Sequence, residues 1–287
     1  MNVNIESLYD KATNTLTYIV YDDKTKDAVI IDPVLDFDPA SGKISKESIN
    51  KVMDFVKGKE LNVSYILETH AHADHLTGSK YLKESLPQAK VAINSNITKV
   101  QSLFGEVFNM KELDTTGAQF DELLDDGQVI KAGSIEVKVL HTPGHTPACA
   151  SFLIGDNVFT GDLLFMPDSG TGRCDFPKGS AQDLYDSIKN KIYTLKDETK
   201  VYVGHDYQPG GREVAYQTTV GESKKKNNQL TDDMSKEEFI KYRNDRDATL
   251  DAPRLLLPSI QVNIDAGRLP KAESNGVSYL KIPLKES

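Results

Sequence analysis

The sequence lacks several features that would assign it to a common protein class. It has only two cysteines, Cys149 and Cys174, in 287 residues, so no disulfide scaffold is needed and a reducing compartment is the simplest setting. No stretch approaches the roughly 20 apolar residues of a membrane span. The first residues, MNVNIESLYD, have neither the basic start nor the apolar run of a signal peptide. We therefore expect a cytoplasmic protein that is not bound to a membrane.

The chain also has fewer basic residues than acidic residues. The chain has 34 basic and 43 acidic residues, a net charge of -9, which disfavours a nucleic-acid partner or an anionic membrane surface. The chain also has no phosphate-binding glycine loop and no G-x-S-x-G nucleophile elbow. The hydrophobic share of 38% is sufficient for a packed core. A small soluble molecule is therefore the expected substrate.

Strands followed by a helix occur twice along the chain. A hairpin over residues 16–33 precedes a helix over 44–59, and strands between 128 and 162 precede a helix over 181–195. This order predicts an α/β protein in which two strand layers pack against each other with helices outside. We expect residues 1–210 to form the catalytic domain and the polar, partly helical residues 211–287 to form an extension packed on it.

What the chain does have is a concentration of histidines. All six lie in three short segments: ETHAHADHLTG with His70, His72 and His75, HTPGHTP with His141 and His145, and VGHDY with His205. In the first segment small alanines separate His70, His72 and Asp74, so alternate side chains can enter one cavity. Imidazole and carboxylate together suit zinc, iron or manganese. The spacing therefore predicts a metal site.

Three further candidate ligands each follow a predicted strand. His145 comes directly after a Pro-Gly pair, whose tight turn can direct the imidazole inward. Asp162 follows the apolar run VFTG, and His205 ends the strand KVYVGH. With the first segment these residues supply up to seven ligands, enough for two metals. His141 we interpret as a packing residue or a hydrogen-bond partner of a ligand.

Three other side chains are candidates for contact with a substrate. Tyr207 lies two residues after His205, and its hydroxyl could reach a bound substrate. Arg173, in the loop GTGRCDF, could pair with an anionic substrate, although an internal ion pair with Asp175 is an alternative. Cys174 could be a thiol of lowered pKa because of this cation, or simply a small buried side chain. Cys149 is interpreted as core.

The motifs THAHADHLTG, HTPGHTP, FTGDLL and GHDY resemble those of the metallo-β-lactamase superfamily. The resemblance implies a four-layered αββα sandwich whose metals lie at the loop edge of two sheets. Within that superfamily, GTGRCDFPKGSAQDLYDSI and VYVGHDYQPGG are most similar to the persulfide dioxygenases, also called sulfur dioxygenases. The C-terminal RDATLDAPRLLLPSIQVNI resembles their bacterial subgroup, often labelled β-lactamase-like hydrolase.

This resemblance implies one non-haem Fe(II) per chain, held by His70, His145 and Asp162. Two histidines and one carboxylate form a facial triad, which leaves coordination positions open for substrate and dioxygen. The remaining members of the set would orient the ligands or hold ordered water, and in dinuclear relatives they bind a second metal: His72, Asp74, His75 and His205. Asp74, Arg173 and Tyr207 would assist catalysis, and Arg173, Cys174 and Tyr207 would bind substrate.

The implied reaction oxidises the outer sulfur of a low-molecular-weight persulfide, such as glutathione persulfide, with O2 and water to sulfite and thiol. Such an enzyme would serve sulfide and persulfide detoxification, with a possible link to a rhodanese and a homo-oligomeric state. The alternative is a glyoxalase II-like thiolester hydrolase with two metals. A lactonase or a non-catalytic metal-bound sensor on the same fold is less consistent with the GRCDF loop and the full ligand set.

Overall fold

The computed structural model describes residues 3–284. It contains β-strands at Asn4–Asp10 (β1), Thr15–Tyr21 (β2), Asp27–Ile31 (β3), Val34–Asp38 (β4), Lys43–Ser45 (β5), Asn62–Leu67 (β6), Leu76–Thr77 (β7), Lys90–Asn94 (β8), Glu122–Leu124 (β9), Val129–Ala132 (β10), Ile135–His141 (β11), Ala150–Ile154 (β12), Asn157–Phe159 (β13), Lys200–Tyr202 (β14) and Gln217–Thr219 (β15). The helices are Glu47–Gly58 (α1), Ser79–Ser85 (α2), Ile97–Val107 (α3), Ala181–Ser187 (α4), Val220–Lys226 (α5), Lys236–Asp247 (α6) and Leu256–Asn263 (α7).

Two six-stranded sheets form the centre of the molecule. The first has the order β1-β2-β3-β6-β8-β9 and the second β10-β11-β12-β13-β14-β15. Strand β2 is buried on both faces. Leu16, Tyr18 and Val20 join the core shared with the second sheet, whereas Ile19 and Tyr21 join the core beneath the helices. This alternation follows from the two-residue period of a strand and places the first sheet between two apolar layers.

Helices cover the outer faces of both sheets. The outer core of the first sheet contains apolar residues of α1, α2, α3 and α7. Beyond the second sheet, α4 and α6 contribute Leu184 and Phe239 to the core that contains its strands. The structure therefore confirms the predicted αββα sandwich of the metallo-β-lactamase fold.

Several boundaries differ from the sequence prediction. The first helix begins at Glu47 because residues 43–45 pair with β4 as strand β5. The helix predicted over 181–195 is α-helical to Ser187 and continues as a π-helical segment, Ile188–Ile192. Strand β1 and helix α3 were not predicted. The apolar segment PRLLLPSIQVN contributes helix α7, whose Ile260 and Val262 lie in the core.

The ends of the predicted domains, residues 1–2 and 285–287, lie outside the described residues. Within residues 3–284, no helix has the length and apolar character required to cross a membrane.

Candidate metal centre

The candidate ligands lie in four loops that follow strands. Residues 70–75 lie between β6 and β7, and His145 lies between β11 and β12. Asp162 follows β13, and His205 follows β14. The first of these loops belongs to the first sheet and the other three to the second. The candidate site therefore lies where the edges of the two sheets meet.

Three of these residues form a compact buried group. Asp162 Oδ2 lies 4.0 Å from His70 Nε2 and 3.7 Å from His145 Nε2. Across the group, one potential ligand atom of each residue lies within 4.8 Å of the others, and all three residues are buried. Two imidazole nitrogens and one carboxylate oxygen are the donor set of a 2-His-1-carboxylate facial triad.

Two glycines allow this close approach. Gly144 has a φ of 148°, and a Cβ built there would lie 2.4 Å from the Cα of Leu184. A Cβ at Gly172 would lie 1.8 Å from the carbonyl oxygen of Asp162. A side chain at either position would therefore displace the loop of His145 or the backbone of Asp162.

Hydrogen bonds orient the rings of His70 and His145. His70 Nδ1 lies 3.0 Å from the Thr69 hydroxyl, which in turn donates to Asp32 Oδ2 at 2.7 Å. His145 Nδ1 donates to the carbonyl oxygen of Arg173 at 2.7 Å. Because both Nδ1 atoms act as donors, each Nε2 keeps its lone pair free to bind a metal.

The other four candidates adjoin this group. His205 Nε2 lies 3.2 Å from Asp162 Oδ1 and 3.2 Å from Asp74 Oδ2. His75 Nδ1 lies 3.5 Å from Asp74 Oδ2, and His72 with Asp74 and His75 forms a second group able to hold an ion. The two carboxylate oxygens of Asp162 therefore face different parts of the cluster. All seven sequence-predicted ligands lie in one cluster.

Two buried carboxylates that the sequence analysis missed contact His72. Its Nε2 lies 3.1 Å from Asp32 Oδ1 and 3.5 Å from Glu68 Oε2. Asp32 also accepts the backbone N–H of Thr69 at 2.7 Å. A usable signal existed in the runs DAVIID and YILE, where an acidic residue ends an apolar strand. Such a residue needs a buried partner.

Several side chains of the cluster have pKa values that differ strongly from their ordinary values. Burial lowers the pKa of His70 well below its usual range, and the adjacent His72 lowers it further, which favours a neutral ring. Burial would also lower the pKa of His205, but the Asp162 and Asp74 carboxylates outweigh it and raise that pKa to about 9. Although burial opposes ionisation of Asp162, the surrounding histidines lower the pKa of its carboxyl.

Several polar atoms of the cluster have no hydrogen-bond partner among residues 3–284. They are His70 Nε2, His72 Nδ1 and His75 Nε2, together with His205 Nε2 and Asp162 Oδ1, which lie 3.2 Å apart without hydrogen-bond geometry; all are buried. Unpartnered buried polar atoms cost free energy and are rare. A cation that accepts lone pairs from nitrogen and oxygen would satisfy such a set, so these residues fit a bound metal ion.

A cavity of about 290 Å³ opens onto the cluster. Tyr207, which is 54% exposed, lines it and stacks on His205 with ring centroids 5.7 Å apart. Arg173 also lines the cavity, but its guanidinium binds Asp175 through two 2.6 Å hydrogen bonds. The ion pair weighed as an alternative in the sequence analysis is therefore present. The remaining lining residues are Asp74, His145, Asp162, Ala73, Pro253, Arg254, Leu255 and residues 12–14.

The structure does not support a thiolate at Cys174. Its side chain is buried and absent from the cavity lining, and burial raises its pKa, to which the nearby Asp247 carboxylate adds. The neighbouring cation therefore does not lower the pKa as expected. Cys149 is buried in the same way. His141 lies outside the cluster, where its Nε2 is 3.1 Å from Asn96 Nδ2.

Comparison with known proteins agrees with this geometry. The family model described as "Metallo-beta-lactamase superfamily" matches residues 11–205. The chain belongs to the metallo-beta-lactamase superfamily. Its fold and its buried ligand clusters are those of a metal-binding enzyme of this superfamily.

Individual members of the superfamily are similar over most of the chain. "Glyoxylase B2" of Dictyostelium discoideum is 48% identical over 98% of this chain and 96% of its own length. The human "Persulfide dioxygenase ETHE1, mitochondrial" is 34% identical over 83% of this chain and 79% of its own length. The crystal structure of ETHE1 from Myxococcus xanthus covers 92% of this chain and all of its own, with 32% identity and a TM-score of 0.75.

Proposed function

We propose that this superfamily member is a persulfide dioxygenase that acts on the persulfide of glutathione or a similar small thiol. The observation that carries the proposal is the buried group of His70, His145 and Asp162, of which His145 and Asp162 line a small cavity. The similarity over most of the chain to the human persulfide dioxygenase ETHE1, and to the ETHE1 of Myxococcus xanthus, supports the same reaction. The reaction would be RSSH + O2 + H2O → RSH + SO3²⁻ + 2H⁺.

In this proposal His70, His145 and Asp162 hold one Fe(II) per chain. When bound, iron would supply the redox chemistry that zinc lacks and that a reaction with O2 requires. Thr69 and the carbonyl oxygen of Arg173 hold the two imidazoles so that Nε2 of each faces the site. Such preorganised ligands reduce the rearrangement required during reaction.

Other residues of the cavity would act on the substrate and on water. Tyr207 offers an aromatic ring and a hydroxyl to the cavity lining, and Arg173, held by its pairing with Asp175, contributes to the same lining. Asp74, whose carboxylate contacts His75 and His205, would hold the water that the hydrolytic step consumes. Buried Cys174 is not part of the proposed machinery.

A glyoxalase II-like thiolester hydrolase is the second candidate. It is favoured by the second ion-binding group, His72, Asp74 and His75, and by the position of His205 beside Asp162 Oδ1. The relative named "Glyoxylase B2" points the same way. In this reading two metals would generate and position a hydroxide, and no O2 would be consumed.

One set of measurements separates the two candidates. Protein purified with iron available is analysed for metal, and oxygen uptake with glutathione persulfide is compared with hydrolysis of lactoylglutathione. About one iron per chain with oxygen uptake is the expected result. Hydrolysis without oxygen uptake would exclude the dioxygenase. A His70→Ala variant should lose both iron and activity, and retention of both would exclude the ligand assignment.

The domain organisation, oligomeric state, location and partner of the protein form part of the same proposal. Residues 1–210 would be the catalytic domain and 211–287 an extension packed on it. A homo-oligomeric state, a cytoplasmic location and a link to a rhodanese stay predictions. Size-exclusion chromatography with light scattering measures the first of these directly.

A further inference from the structure

Residues 168–174 form a loop that follows Asp162 in the sequence. Side chains from the region after residue 210 hold this loop in place. Backbone groups of five loop residues each form a hydrogen bond with a different side chain of that region. The pairs are Asp168 O with Asn228, Ser169 O with Gln229, Gly170 O with Asn227, Thr171 O with Arg243, and Cys174 N with Asp247.

The peptide group between Arg173 and Cys174 connects the imidazole of His145 to the buried carboxylate of Asp247. The carbonyl oxygen of Arg173 accepts from His145 Nδ1 at 2.7 Å, and the N–H of Cys174 donates to Asp247 Oδ2 at 2.7 Å. These two groups belong to the same planar peptide unit. A negative charge at the N–H end polarises the unit and makes its carbonyl oxygen a stronger acceptor.

The carboxylate of Asp247 is itself held by Arg243. Arg243 Nη2 donates to Asp247 Oδ1 at 2.6 Å, and the two residues are 1% and 6% exposed. Arg243 Nε has no hydrogen-bond partner among residues 3–284. A buried ion pair with an unmet donor adds little net stability because desolvation offsets the Coulomb attraction. Its presence is better explained by what it positions.

We propose that Asp247, held by Arg243, is a positioning residue for the candidate metal ligand His145 and acts through the Arg173–Cys174 peptide. The arrangement has the same order as a carboxylate–histidine–metal triad, with one peptide group inserted between carboxylate and imidazole. It keeps the proton on Nδ1, orients the ring and strengthens Nε2 as a donor. The inference rests on the proposed metal site and extends it to helix α6.

The test compares two aspartate-to-asparagine variants in α6, prepared in the full-length chain. Asp247→Asn removes the buried charge with little change of shape. Asp245→Asn is the matched control because Asp245 is exposed and, among residues 3–284, its ion pair is with Lys241 on the same helix. Zn(II) serves as a diamagnetic probe, its affinity is measured by chelator competition, and ¹⁵N-histidine NMR reports the His145 Nδ1–H signal.

Asp247→Asn should weaken Zn(II) binding about 10 to 100-fold and shift the His145 Nδ1–H signal upfield, whereas Asp245→Asn should change neither. Equal Zn(II) affinity and an unchanged signal in the two variants would overturn the proposal, even if Asp247→Asn melts at a lower temperature. If Asp247→Asn does not fold, Arg243→Lys should give a smaller change in the same direction, and wild-type values for that variant would overturn the proposal.

The wild-type activity assay distinguishes this inference from the proposed function. A wild-type protein that binds metal but takes up no oxygen with glutathione persulfide would refute only the function. The affinity difference between the two variants would still decide the role of Asp247.

Discussion

At the residue scale, the absence of a side chain at Gly172 matters as much as the ligands themselves. The backbone there passes so near Asp162 that a Cβ would overlap its carbonyl oxygen. In Gly58 of helix α1, by contrast, a Cβ would meet nothing within 4 Å. The two glycines therefore form a pair in which the same added methyl group has opposite consequences.

Gly172→Ala should move Asp162 away from His70 and His145 and should abolish tight metal binding. Gly58→Ala should leave metal content unchanged and stabilise the protein by about 0.5–1 kcal/mol, because alanine loses less backbone entropy in a helix. Metal analysis after dialysis and urea unfolding measure the two effects. A Gly172→Ala protein with full metal content would contradict the observed packing.

The two thiols should not react in the folded protein at pH 8. Burial raises the pKa of Cys149 to about 12 and also raises the pKa of Cys174. A disulfide reagent such as DTNB should therefore titrate both thiols only after unfolding in urea. Rapid reaction of either thiol in native protein would show that its side chain is accessible.

The same shift predicts the sign of a pH effect on stability. The unfolded thiol ionises from about pH 8.5, whereas the folded Cys149 keeps its proton up to about pH 12. The unfolded state therefore loses protons first, and the free energy of unfolding falls as pH rises through this window. Cys149→Ala should reduce the slope, which urea titrations between pH 8 and 11 would measure.

At the scale of elements, helix α7 supports the loop that contains three of the histidines. Asn263 is 3% exposed, and its Oδ1 accepts the Thr77 N–H at 2.8 Å. Its Nδ2 donates to the carbonyl oxygens of His72 and His75, both at 2.8 Å. One amide thereby satisfies three buried backbone groups of a loop distant in sequence.

Asn263→Ala should lower the free energy of unfolding by at least about 2 kcal/mol, because three buried backbone groups lose their partner. Asn244→Ala, at an exposed position of α6, should change it by less than about 0.5 kcal/mol. Urea unfolding of the two variants gives the comparison. Equal stability would mean that water replaces the Asn263 amide fully.

The elements predicted from sequence are those with a clear hydrophobic period. The first helix was found because Ile49, Val52, Met53 and Val56 recur at helical spacing and are all buried. Strand β1 was missed because its sequence, NIESLYD, shows no regular alternation of apolar and polar residues, and all of its residues except the exposed Asn4 are partly buried. The π-helical segment after Ser187 leaves the apolar spacing of its helix intact, so no local pattern marks it.

The residues of the candidate site also fall into those that a local sequence pattern predicts and those that it does not. The histidines and Asp162 are recognisable because they form short motifs next to strand ends. Asp247 and Asn263 act through hydrogen bonds to residues far along the chain, Cys174 and His75. Such contacts follow from the packing of distant elements, which no single segment specifies. Arg254, which lines the cavity, was missed for the same reason.

At the scale of the whole molecule, the candidate centre joins the two sheets. His70 comes from a loop of the first sheet, and His145 and Asp162 come from loops of the second. A metal bound by all three would therefore cross-link the halves of the sandwich. Because only the folded chain brings these residues together, binding should stabilise the folded state.

Metal at about 1,000 times its dissociation constant should add about 4 kcal/mol to the free energy of unfolding. For a chain of this size the melting temperature should rise by roughly 10 °C. Differential scanning calorimetry of chelator-treated and reloaded protein measures the rise. The His70→Ala variant is the control and should show little change on addition of metal. A similar rise in both proteins would locate the stabilising ion elsewhere.

The support that residues 247 and 263 give to the histidine loops has a consequence for the timing of biosynthesis. Synthesis at about 5–20 residues per second separates the first histidine from Asn263 by roughly 10 to 40 seconds. During that interval the nascent chain exposes imidazoles and carboxylates that have neither their sheet partners nor their supporting helices. If metal binding requires the complete cluster, the metal would bind only after nearly the entire chain has left the ribosome.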